Sequence, residues 1–107
     1  TDRAVALGQK LVALKDGLPF GIAAYHHENW DGTGHFGLKG ENIPLVSRML
    51  AVADTWDAMT SDRVYRKALG REIALTELRK AAGKQLDPAI VEAFLRLEER
   101  QHREALA

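Results

Sequence analysis

No cysteine occurs in this chain, so a disulfide framework and a thiolate metal site are both excluded, and any metal must be held by His, Asp or Glu. Charge of one sign is missing too, since fifteen Lys and Arg residues balance fifteen Asp and Glu. Nothing in the bulk charge favours a nucleic-acid polymer or a membrane surface, so an anionic ligand needs a local cluster. No apolar run approaches the roughly 20 residues that span a bilayer, and no signal-peptide pattern opens the chain. A cytoplasmic setting is the expectation. The opening "TDRAVALGQK" has no methionine and begins in mid-pattern, as expected of a piece of a longer protein.

What is there is apolar and charged in globular proportion, 46% and 28% of 107 residues, which predicts a single domain with one core. The periodicity is helical throughout, and no stretch reads as a strand. A first helix is expected over Val5, Leu7, Leu11, Val12 and Leu14, capped by Asp2 and stopped near Asp16-Gly17. A second, shorter one is expected from Pro19 to about His27. Gly32, Gly34, Gly37 and Gly40, with Asp31 and Asn42, mark a loop. Pro44 then opens the strongest helix, with Leu45, Met49, Val52, Ala53, Trp56 and Met59 at core spacing. A basic connector leads to a helix from about Glu72 to Ala82, and Asp87-Pro88 opens an amphipathic one through Val91, Phe94, Leu95 and Leu97. Residues 98–107 form a charged tail or helix end. The expected fold is all-α, a bundle of about five or six helices.

Few residues could carry chemistry. His26 and His27 are adjacent, and neighbours on a helix point about 100° apart, so both cannot easily grip one ion unless the helix has begun to unwind, though each could serve a different ion of a cluster. The plainer reading is that one histidine packs or caps while the other is solvated. Asp54 interrupts the most apolar helix, where a carboxylate is rarely left without a partner, and Asp57 shares its face. Such an acid is a metal ligand, an acceptor for loop amides or half of an ion pair. Arg63, Arg66 and Lys67 flank Tyr65 in "SDRVYRK", a cluster suited to phosphate oxygens and equally to a solvated turn paired with Asp62 and Glu72. Trp30 and Trp56 read as core or loop anchors. Phosphate-binding glycine loops and nucleophilic triads are not found.

Taken together, "HHENWDGTG", "GLKGENIPLVSRMLAVADTWDAMTSDRVYRKAL" and "LDPAIVEAFL" resemble the HD-GYP family, a branch of the HD phosphohydrolases, over about residues 1 to 97. The resemblance implies a helical metal-dependent phosphodiesterase with two or three divalent ions, commonly iron or manganese. It implies hydrolysis of cyclic di-GMP, to the linear dinucleotide or to GMP, as a response-regulator output behind an upstream receiver or sensor domain. Carried over by position, it implies that His26, His27 and Asp54 are metal ligands and catalytic, and that Arg63, Arg66 and Lys67 contact phosphates. The ions would lower the pKa of a bridging water. Gly34-His35-Phe36 stands where the family has Gly-Tyr-Pro, in a loop one residue shorter. The family's His-Asp pair and its other ligands would lie ahead of Thr1. A chain with three ligands would bind metal weakly or not at all, turn over little by itself, and expose core surface that favours a dimer. The alternative is a non-catalytic module derived from the family, binding a nucleotide or a protein.

Overall fold

The computed structural model describes residues 2–14, 25–62 and 67–106. Four α-helices lie within them: α1 (Asp2–Leu14), α2 (Leu45–Thr60), α3 (Arg71–Ala81) and α4 (Pro88–Leu106). A 3-10 turn, Gly40–Asn42, precedes α2. No strand occurs among the described residues. The all-α expectation holds, with four helices described where five or six were expected. The helix expected from Pro19 lies outside the described residues up to Ala24, as does the stop at Asp16-Gly17. At its far end His26 and His27 are in a turn rather than a helix, closed by the Glu28 amide donating to the Tyr25 carbonyl at 3.1 Å.

Helix α2 is the axis of the fold. Met49, Leu50, Ala51, Val52 and Ala53 are buried in succession, which requires neighbours on every side rather than along one stripe. Helix α1 packs on it so closely that a Cβ added at Gly8 would lie 2.7 Å from the Met49 carbonyl oxygen. Only glycine leaves room for that backbone approach. Pro44 is the N-cap of α2 rather than part of its first turn. Leu45, expected in the core, is 52% exposed, because it sits at the helix mouth before α2 enters the packed layer.

Helices α3 and α4 complete the core, α4 packing on both α1 and α2. Ala74, Leu75 and Leu78 of α3 are buried, as are Ile90, Val91, Ala93 and Phe94 of α4. Trp56 of α2 meets Phe94 with ring centroids 5.4 Å apart, so it anchors the core as expected. Asp87 caps α4, its Oδ1 accepting from the Ala89 amide at 2.9 Å. The helix then continues through the charged segment to Leu106.

Candidate metal centre

The turn that carries His26 and His27 is pinned from two directions. On one side the Trp30 amide donates to the Gln85 carbonyl at 3.0 Å, and the Asp31 amide to that of Lys84 at 2.9 Å. This ties the glycine loop to the turn between α3 and α4. On the other, the Glu28 carboxylate, in a residue only 4% exposed, accepts from the Phe36 amide at 2.6 Å and the Leu38 amide at 2.9 Å. Within the loop, Asp31 accepts from both the hydroxyl and the amide of Thr33, at 2.6 Å and 3.1 Å. Those bonds, the hydroxyl's first, hold the Asp31 carboxyl below the usual carboxylate range.

So held, the histidines face α2. His26 Nε2 stands 3.7 Å from Asp54 Oδ2, and both side chains are largely buried. The His27 ring lies beside that of His26, centroids 3.8 Å apart, and is exposed. The expected divergence of the two rings is therefore not found, because a turn replaces the helical spacing that would have separated them. His26, His27 and Asp54 line one pocket of about 70 Å³, with Glu28, Ala51, Thr55, Gln85 and Leu86. Thr55 is engaged, its hydroxyl donating to the Ala51 carbonyl at 2.7 Å. Asp57 turns to the end of α2, where the Ser61 hydroxyl donates to it at 3.2 Å.

The donor set can be tested against a cation. A separation of 3.7 Å is too long for a hydrogen bond. It is slightly beyond the roughly 3.0–3.5 Å between two ligands that each sit about 2.1 Å from one ion. A small closing movement would let His26 and Asp54 share one. Among the described residues no set of three or more His, Asp or Glu side chains is placed to hold a metal. The pair fits as part of a cation site.

A model of the HD domain matches residues 9–90. This chain belongs to the HD-domain family. Curated relatives resemble about seven-tenths of the HD chain. It is 49% identical over 80 residues to a cyclic di-GMP phosphodiesterase of Vibrio cholerae, covering 74% of this chain and 16% of the relative. It is 47% identical over 76 residues to a cyclic di-GMP phosphodiesterase response regulator of Xanthomonas campestris, covering 70% and 20%. It is 40% identical over 75 residues to a 3'3'-cGAMP-specific phosphodiesterase of Vibrio cholerae, covering 69% and 14%. The HD chain thus spans between 14% and 20% of the length of these relatives.

Of the phosphate-contact candidates, Arg63 and Arg66 lie outside the described residues. The Lys67 side chain is 92% exposed, with its ammonium 3.9 Å from an Asp62 oxygen. Residues that spacing had not singled out hold the HD chain's site together. Arg48 donates to Asp87 at 2.7 Å and to the Ile43 carbonyl at 2.9 Å, with its guanidinium 5.9 Å from the Trp30 ring centre. Glu28 was equally silent in the sequence, although an acid just before a glycine-rich loop is the signal that could have found it.

Proposed function

We propose that this HD chain is a portion of a metal-dependent phosphodiesterase that hydrolyses cyclic di-GMP in bacterial signalling. The observation that carries the reading is the meeting of His26, from the turn, with Asp54, from the buried α2, in one pocket beside His27. His26, His27 and Asp54 would hold divalent ions, iron or manganese, two or three in a complete site. Bound there, such ions supply an activated water and a polarised phosphodiester. The remaining work falls to this chain's residues. Ala51 and Leu86 supply the apolar part of the pocket wall beside the histidines and Asp54. Arg63, Arg66 and Lys67 would neutralise the phosphate oxygens.

The test is incubation of cyclic di-GMP with Mn²⁺ or Fe²⁺ and the longest natural polypeptide that carries this sequence, with chromatography of the products. Hydrolysis to the linear dinucleotide or GMP, abolished by His26→Ala and by Asp54→Ala, is the expected result. A folded, metal-loaded protein that turns over nothing sinks the reading. Preference for 3'3'-cGAMP would move the substrate and keep the reaction. The isolated 107-residue chain is expected to turn over little or nothing. A receiver or sensor domain upstream and a cytoplasmic setting belong to the same reading, as does a dimer, which light scattering would reveal as doubled mass. No helix among the described residues is long and apolar enough to cross a membrane.

One observation favours a second reading. Among the described residues no three His, Asp or Glu side chains are placed to hold one metal ion together, as a non-catalytic nucleotide-binding or protein-interaction module would allow. Calorimetry discriminates. Nucleotide binding that persists in chelator supports the module, and strict metal dependence supports the enzyme.

A further inference from the structure

Glu28 follows the two histidines and lines their pocket, so it invites assignment as a third ligand. Its two oxygens are already committed elsewhere, Oε1 to the Phe36 amide at 2.6 Å and Oε2 to the Leu38 amide at 2.9 Å. Charge-assisted bonds of this length, made by a buried carboxylate, are the strong kind. Its own amide closes the turn on the Tyr25 carbonyl. Gly34 presses on the same residue from the loop side, where an added Cβ would lie 2.8 Å from the Asn29 nitrogen and 2.9 Å from the Glu28 Cα.

We propose that Glu28 is a positioning residue, a clamp that ties the shortened glycine loop to the turn and thereby holds His26 and His27 toward Asp54. Phe36 supplies a donor that the proline of the family's Gly-Tyr-Pro lacks. The sequence departure at Gly34-His35-Phe36 and the buried acid thus make one device. Glu28 receives the backbone N–H of Phe36, which a proline at that position would not offer. The Phe36 side chain is secondary, half-exposed with its edge on Tyr25.

The readout that decides is independent of metal. In metal-free protein, nuclear Overhauser contacts between the rings of His26 and His27 report their arrangement, and hydrogen exchange at the Leu38 amide reports the loop. Glu28→Gln offers one carbonyl acceptor in place of two carboxylate oxygens, and Phe36→Pro removes a donor without touching the acid. Both are expected to lose the ring contacts, while Leu38 exchange rises roughly tenfold or more in Glu28→Gln. Phe36→Ala keeps the amide and is expected to keep the contacts. Circular dichroism checks that each variant is folded. Ring contacts that survive in a folded Glu28→Gln or Phe36→Pro protein overturn the proposal.

A second measurement rests on the metal reading of this site. Mn²⁺ should bind about ten- to a hundredfold more weakly to both variants, the usual effect of removing a ligand's support. Weakening in Glu28→Gln alone would make Glu28 a ligand and overturn the clamp. If the unaltered protein binds no Mn²⁺, the metal reading fails, and the ring contacts still decide the role of Glu28.

Discussion

Asp87 does two separable jobs, and substituting it twice should separate them. Its Oδ2 takes the Arg48 guanidinium at 2.7 Å, the pair being 4% and 14% exposed. Its Oδ1 accepts from the amides of Ala89 and Ile90, at 2.9 Å and 3.4 Å, at the start of α4. Removing one partner of a buried ion pair leaves an uncompensated charge and costs about 3–5 kcal/mol. Replacing a capping Asp by Ala costs about 1 kcal/mol. Arg48 keeps the Ile43 carbonyl after either change, which places the pair's contribution near the low end. Asp87→Asn retains a capping oxygen and should lose about 3 kcal/mol, and Asp87→Ala about 4 kcal/mol. A domain of this size has about 5–15 kcal/mol in all, so both variants should stay folded with urea midpoints far below the parent's. The assay is urea unfolding followed by circular dichroism, with slopes compared to confirm that the same surface unfolds. A loss under about 1 kcal/mol for Asp87→Ala would refute the reasoning, because Arg48 would then find water as good a partner as Asp87.

Phe94→Ala empties a site that is 2% exposed and removes the ring on which Trp56 leans; a loss of about 3–5 kcal/mol is expected in the same unfolding assay. The Asp31 carboxyl should titrate below its ordinary value by carbon-detected NMR, and Thr33→Val should bring the midpoint back up. Because the folded value is the lower one, the stability gained from Asp31 is complete above the unfolded pKa and is lost as pH falls through the folded pKa. Gly8→Ala should loosen α1 from α2, since the new methyl meets the Met49 backbone, and hydrogen exchange of the buried α2 amides would show it as faster opening.

The class of the fold and the residues that frame the candidate site were legible from local pattern. Apolar spacing predicted α2 and α3 within a residue or two of their ends, and Asp87-Pro88 marked the start of α4 because a side-chain cap acts on amides two and three residues away; the apolar pattern ended at Leu97, whereas α4 runs on to Leu106. Asp54 drew notice because a carboxylate among Ala51, Val52 and Ala53 contradicts its surroundings. His26 and His27 stood out by type alone. Their geometry did not, because the angle between adjacent side chains depends on whether the backbone is helix or turn, and that choice is made by bonds from far along the chain. Glu28 bonds ten residues on to Leu38, and Trp30 and Asp31 bond to the turn between α3 and α4.

By itself the sequence determined the residue types and the helical elements, which follow from composition and from contacts within a few residues, and its motifs carried the resemblance to a family. Tertiary structure alone decided that Gly8 lets two helices touch, that Arg48 reaches Asp87, and that Glu28 serves a loop. It also brought one imidazole of the pair to Asp54. Each of these depends on which distant segment arrives opposite a given side chain, and periodicity says which face is buried without saying what it is buried against.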